Sequence, residues 1–381
     1  MRISSGELIH NRGLIGNGNG IRLQRARKIA WCLAIFVSVA SAQSTLTMPT
    51  YRDVFEFRSY LPDGQATKSN PKKVKVAKPR MEGSFTGGYI EDAIVRTQIR
   101  VRFDAEFSIE DPDRAEFFYG KCGCYRGLPS TNPAYDPNAP GPGPGIAARV
   151  NAQEVHVNLE YAPTRRLSFF ADLPERSIQY TATVGGPMAS GNGFGDFVAG
   201  LKFALVASER TYLTFQFSAV TPTGDVSQGL GTNHYSVQPL VLLNHRLNEH
   251  VSLLGQFGDL HPLSGSAGYP TASSPNAFSG DVLEYGLGMG YQFKPKPEVA
   301  VTPLLEFVGW HVFDGYYTSA TAAVQGAVPE VSAAGTNIVN VKIGARISFH
   351  KHQSIYLGYG EAVTNSRWYK EIMRLEYKYL F

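Results

Sequence analysis

The sequence predicts an all-β fold: a transmembrane antiparallel β-barrel of about twelve strands, preceded by a mostly irregular N-terminal segment. Three observations predict it. Apolar residues recur at every second position in segment after segment, the connections alternate between short and long, and the last segment keeps the alternation up to Phe381. Successive strand side chains point to opposite faces, so one apolar and one polar face is what a wall between lipid and a polar lumen requires. Only 18% of residues are charged, while 39 glycines, 20 tyrosines and 22 phenylalanines enrich the chain in turn formers and aromatics. That balance suits a β-protein and excludes a disordered one.

The chain opens differently. Ile29 to Ala40 is an apolar run preceded by Arg22, Arg25, Arg27 and Lys28 and followed by Ala40-Ser41-Ala42. Basic, apolar and small-residue sections in this order mark a secretory signal over residues 1–42, too short to span a bilayer as a helix. The whole chain has 36 basic and 32 acidic residues, a formal charge of +4. The first 42 residues hold six of the bases and one of the acids, which leaves 30 and 31 and a charge of −1. A phosphate-binding surface needs a basic patch, so nucleic acid loses its support as a partner.

Residues 43–91 read as an N-terminal periplasmic segment. An aromatic patch at Tyr51, Phe55, Phe57 and Tyr60 precedes the basic, polar stretch from Lys68 to Arg80, which is unsuited to burying a core. The segment is either a flexible tail or a plug threading inward.

The barrel is expected over residues 92–381. Its first strand alternates from Val95 to Phe107, with Arg96, Gln98, Arg100, Arg102, Asp104 and Glu106 on the polar face. Further alternation runs over 154–161, 167–173, 196–205 and 213–219, then more loosely over 234–244 and 250–260. Segments at 283–293, 298–312, 337–349, 353–362 and 368–381 complete the count. The turns after strands two, four, six, eight and ten are short. The connections after strands one, three, five, seven and nine are long and rich in Gly, Pro, Ser and Asn, as expected when every second connection faces outward. Closure satisfies every backbone hydrogen bond, so strands with a mean hydropathy near zero can still face lipid. A final strand ending in Tyr379 and Phe381 resembles the targeting signature of bacterial outer-membrane barrels. The expected partners are therefore outer-membrane lipid and the barrel-assembly machinery of a Gram-negative envelope.

One stretch is more specific. Leu167 begins LSFFADLPERSIQY, Gly193-Phe194-Gly195-Asp196 opens a strand with a downstream Gly200-Leu201-Lys202, and Thr221-Pro222-Thr223-Gly224-Asp225 leads to Gly229 and Gly231. This order resembles the outer-membrane channel family of the meta-pathway of phenol degradation, over roughly residues 150–381. The resemblance implies a barrel related to transporters of long-chain fatty acids and aromatic hydrocarbons. Read on their own, Gly193, Gly195, Asp196, Pro222, Gly224 and Asp225 are turn motifs. No helix follows them to bind phosphate.

The inner face is charged but balanced, with Arg96, Arg100, Arg102, Lys202, Lys342, Arg346, Arg374 and Lys378 against Asp104, Glu106, Glu154, Glu160, Asp172, Asp196, Glu284, Glu306 and Glu376. Eight bases against nine acids point to cross-strand pairing, or to a substrate path lined by the same residues, which are compatible readings. Closure puts the last strand beside the first, so that Arg374 and Lys378 face Asp104 and Glu106 or lie near Arg96 to Arg102, according to register. Cys122 and Cys124 sit in the longest external loop. A loop-stiffening disulfide fits an oxidising compartment best, with free thiols or metal and redox work as the other readings. His156 lies between Glu154 and Glu160, but no nucleophile is paired with it. The sequence asks for no cofactor and no metal. It is read as a channel or transporter for a small-molecule solute, hydrophobic or aromatic by the resemblance. A structural, adhesion or assembly barrel without transport is the alternative, and an outer-membrane hydrolase a further one.

Overall fold

The computed structural model describes residues 86–114, 118–263, 278–349 and 352–381. The secretory signal and residues 43–85 of the N-terminal segment lie outside the described residues. Twelve antiparallel strands form the wall: β1 (Gln98–Ile109), β2 (Ile146–Tyr161), β3 (Leu167–Val184), β4 (Phe197–Ala207), β5 (Thr211–Thr221), β6 (Ser236–Arg246), β7 (Val251–Pro262), β8 (Val282–Tyr291), β9 (Val299–Val312), β10 (Asn337–Phe349), β11 (Gln353–Ala362) and β12 (Glu371–Leu380). Each pairs with its chain neighbours, and β12 pairs with β1 from Gln98↔Leu380 to Phe107↔Glu371, so no edge remains. Short strands at Gly191–Phe194 and Phe293–Lys296 extend the ladder, and a hairpin of Tyr316–Thr318 with Glu330–Ser332 stands in the loop after β9.

The period of two decides the faces. Leu159, Phe169, Phe257, Leu287, Ile343 and Leu357 point outward and are exposed, Leu287 to 64% and Leu357 to 65%. A continuous exposed apolar face on a closed barrel is the surface that lipid covers. The alternate residues, among them Asp104, Glu160, Lys202, Glu306, Lys342, Arg346, Arg374 and Glu376, are buried inside. The protein is an outer-membrane barrel. Tyr291 with Phe293, and Tyr379 with Phe381, form ring pairs at the end of the barrel that carries the short turns.

The strand count and faces agree with the sequence, but three local features differ. β1 starts at Gln98, not Val95. Ala93, Ile94 and Val95 pack instead against the inward residues Ala204, Tyr212, Leu240 and Leu242. Those wall positions are apolar, which is why β6 reads as irregular, and the turned-in chain covers them. β2 and β3 run to 16 and 18 residues and form a hairpin that reaches beyond the alternating stretches. Finally, β3 pairs with β4 only from Leu167↔Phe203 to Asp172↔Val198. Beyond that, Gly195 N–H donates to the Pro174 carbonyl at 2.9 Å and Gly191–Phe194 pairs with Glu175 to Ile178.

Tyr356 needs glycines around it. A Cβ on Gly344 or Gly358 would lie 2.3 Å from the Tyr356 hydroxyl, and one on Gly88 would lie 2.0 Å from its ring. Both wall glycines therefore make room for a ring that lies flat across the lumen face. Gly358→Val is expected to destabilise the barrel by about 1–3 kcal/mol, the cost of overpacking a filled interior. The readout is a lower temperature for conversion of the compact to the extended form on unboiled gels; an unchanged temperature would refute the packing argument.

Candidate functional site

Residues 86–97 enter the lumen from the short-turn end, and the wall grips them by their backbone. The Glu306 carboxylate accepts from the N–H groups of Gly88, Tyr89 and Ile90 at 3.0–3.2 Å. Arg374 donates to the Gly88 carbonyl at 2.9 Å, Arg346 to that of Gly87 at 2.6 Å and Lys202 to that of Asp92 at 3.0 Å. Thr214 donates to the Ala93 carbonyl at 2.5 Å. The plug's own carboxylates meet cations: Glu91 pairs with Arg100 at 3.2 Å, and Asp92 with Arg96 at 3.0 Å and Lys378 at 3.2 Å. The segment thus has a polar partner for nearly every group it brings inside, as burial demands.

The predicted inward charges gather into pairs. Asp104 accepts two bonds from Arg374 at 2.7 and 2.8 Å and lies 3.2 Å from Arg102, which settles the register between first and last strands. Arg346 pairs with Glu376 at 2.8 Å. Glu160 accepts from Gln98 at 2.8 Å and Ser168 at 2.7 Å and pairs with Lys202 at 3.3 Å. His156 bridges Asp172 at 2.7 Å and Glu154 at 3.0 Å, and Arg176 bonds Glu154 from the other side. With a carboxylate on each ring nitrogen, His156 bridges the two strands and both of its nitrogens are engaged. Glu284 accepts from Gln238 at 3.0 Å. Asp196 departs from the expected set: it faces no lumen charge. Its oxygens accept from Gly224 N–H at 2.9 Å and from Thr232 N–H at 2.8 Å. Gly231 passes so close that a Cβ would lie 2.3 Å from Asp196. The two glycine-rich motifs are therefore one clamp at the rim, and Asp225 caps the short helix Val226–Gln228 beside it.

The opposite mouth is covered by the loop after β1. Ser108 takes a positive φ of 55° where the β1–β2 register shifts, and its N–H donates to Asn151. The chain then turns inward, with Phe118 and Tyr119 buried against Val150, Ile178, Leu230 and Trp368. Arg176 donates to the Phe118 carbonyl and stacks under its ring at 4.6 Å. Asp113 accepts from Cys122 N–H, Thr318 N–H and the Thr318 hydroxyl, tying this loop to the one after β9. Lys121, fully buried, lies between Asp136 at 3.5 Å and Glu330 at 3.8 Å. Burial pulls its ammonium below the ordinary lysine range although both carboxylates favour its charge. Cys122 and Cys124 are joined in a disulfide inside this clasp.

Between the plug and this cover lies a cavity of ≈ 350 Å³. Tyr89, Phe170, Trp310, Trp368 and Tyr369 give it aromatic walls, and Arg102, Glu106, Glu154, Lys342 and Arg374 give it charge. The plug contributes Tyr89, whose ring sits 4.0 Å from the Lys342 ammonium and 4.2 Å from the Arg374 guanidinium.

Residues 143–260, from the start of β2 to β7, match the family described as "Putative MetA-pathway of phenol degradation". The matched stretch contains both glycine-rich motifs of the rim clamp, and the family match ends before β8. Among solved structures, an outer membrane channel from Pseudomonas putida F1 is similar at 15% identity over 77% of this chain and 99% of that one, with a TM-score of 0.44. The NanC porin is similar at 8% identity over 75% and 98%, with a TM-score of 0.39. LpxR from Salmonella typhimurium is similar at 12% identity over 74% and 100%, with a TM-score of 0.38. No curated protein matches the sequence.

Two outcomes test this geometry. Glu306→Ala removes the acceptor of three N–H groups, and bonds to a charged group contribute about 1.5–3 kcal/mol each. Hydrogen exchange at residues 88–90 is expected to accelerate by at least about 100-fold, with the wall strands unaffected. At the cover, burial pushes the Asp111 carboxyl up to about 7. The folded loop therefore holds this proton more tightly than the unfolded chain does, and its contribution to stability declines as pH rises from about 4 through 7. Limited proteolysis of residues 110–145 is expected to speed up between pH 5 and pH 8.5 in the wild type and to change little in Asp111→Asn.

Proposed function

We infer that this barrel admits small molecules through the outer membrane by way of the central cavity, with residues 86–97 as the gate at its periplasmic side. One observation carries the reading: the plug is held by hydrogen bonds and ion pairs to the wall along its length, beside apolar contacts at Tyr89, Ile90 and residues 93–95. A polar plug recovers its hydration on leaving, whereas an apolar one would not. The aromatic walls of the cavity support a solute with a planar or apolar body, in keeping with the family, and its charges favour one that also carries polar groups. Residues 1–42 act as the secretory signal, and the strand ending at Phe381 presents its alternating face to the assembly machinery. Glu154, His156 and Glu284 line the cavity on that path, and Glu160 stands beside it at Lys202.

Planar-bilayer recording tests the gate. The wild type is expected to show rare or small openings, and Glu306→Ala to raise open probability by about tenfold or more. If neither conducts, and neither passes solutes in liposome swelling, the barrel is a structural one and the channel reading falls.

A further inference from the structure

Most charges around the cavity are accounted for within the protein. Arg374 and Arg102 meet Asp104, Arg100 meets Glu91, Lys202 meets Glu160, and Glu154 and Asp172 share His156. Glu284 has the Gln238 amide and the Trp310 side chain as donors. Two groups of opposite sign stand apart. Among the described residues Glu106 accepts no hydrogen bond and joins no ion pair. Lys342, only 3% exposed, forms no ion pair among the described residues: Glu306 opposite it across β9 and β10 is taken up by plug amides, and its ammonium donates to the Tyr369 hydroxyl at 2.7 Å, surrounded by the rings of Tyr89, Trp310 and Tyr369 at 4.0, 5.6 and 5.4 Å.

The register sets these two groups at one height. Glu106 pairs with Ile372, Ile372 with Gly360 and Gly360 with Lys342, so they sit on the same ring of the wall, three strand steps apart. Each step is about 4.8 Å, and two long side chains leaning inward shorten the gap without closing it. Gly360 leaves room for the Lys342 stem, since a Cβ there would lie 2.8 Å from Lys342 Cγ. The floor between the charges is the apolar Ile372, and aromatic rings stand to one side. Enclosed charges that lack an opposite charge are costly, and a ligand that supplies the opposite charges from within the cavity would complete the site.

We propose that the cavity binds a zwitterionic small molecule, its ammonium at Glu106, its carboxylate at Lys342 and an apolar or aromatic body against Tyr89, Trp310 and Tyr369. This names the solute class for the channel reading and rests on it for its physiological sense, but binding is measured apart from transport. Two of the chain's three tryptophans, Trp310 and Trp368, line the cavity and report on it by fluorescence.

The purified full-length protein in detergent is titrated with L-phenylalanine, and with benzoate and phenethylamine as molecules that carry one charge each. A saturable signal is expected for L-phenylalanine, with both single-charge probes at least about tenfold weaker. Lys342→Met should weaken L-phenylalanine by about tenfold or more and leave phenethylamine unchanged, and Glu106→Gln should weaken it likewise and leave benzoate unchanged. Lys342→Arg, which keeps the charge, should retain binding and serves if the methionine variant loses the compact gel form. The proposal is overturned by the absence of a saturable response to L-phenylalanine, by its persistence in Lys342→Met and Glu106→Gln, or by single-charge probes that bind as tightly. Solute flux into liposomes is read separately: flux without L-phenylalanine binding sinks this site and spares the channel, and binding without flux does the reverse.

Discussion

The inner wall of this barrel encloses a dense set of ionisable groups, and most of them find their opposite locally. That constraint organises the rest of the molecule. It fixes the register of the closing strands, where the Arg374 guanidinium meets Asp104 squarely. It also draws residues 86–97 inside, because Glu91 and Asp92 bring negative charge to the wall cations Arg100 and Lys378, which face one another across the closing strands. Glu306 completes the exchange in the other direction, a wall anion satisfied by plug amides rather than by a cation.

The wall was legible in the sequence because a period of two is a local signal that each strand carries alone. Glu106, His156, Lys342 and Arg374 fell on the inner face by parity, and parity survives small errors in strand ends. What parity does not carry is partnership. That Arg374 meets Asp104 depends on register across the closure, and that Glu306 serves backbone amides depends on a segment some 216 residues away in the chain. Val95 shows how the pattern misleads at its edge. It continues the alternation of β1, yet apolar wall residues Leu240 and Leu242 reward it for turning inward. The irregular alternation of β6 was the available clue, since inward leucines in a polar lumen require an apolar cover from elsewhere.

The two glycine-rich motifs illustrate a second kind of distance. Read singly, Gly193 to Asp196 and Pro222 to Asp225 are turns. Folded, they form one clamp, with Asp196 holding the amides of Gly224 and Thr232. This clamp stands where β3 leaves β4, so it closes the rim at the place where the ladder between those strands has ended. The motif residues have a physical cause in this chain: Gly231 stands where a Cβ would strike Asp196, and Asp196 where two loop amides need an acceptor.

A plug held by charges has different energetics from one held by apolar packing. Each ion pair formed inside the barrel replaces hydration that both partners enjoyed outside, and the two nearly cancel. The plug is therefore specified strongly, because any misplacement leaves a buried charge alone, but its net hold on the wall is modest. The plug also buries Tyr89, Ile90 and residues 93–95 among apolar side chains, and the cover at the other mouth adds a covalent link to such packing. Phe118, Tyr119, Tyr125 and Phe278 pack there in apolar clusters, and the Asp113–Thr318 bonds and the Cys122–Cys124 disulfide hold its loops together. Apolar area removed from water gives a stabilisation that no rehydration offsets. In the channel reading proposed above, the disulfide-linked cover is the fixed wall of the cavity and the plug, whose ion pairs exchange for hydration, is the side that opens.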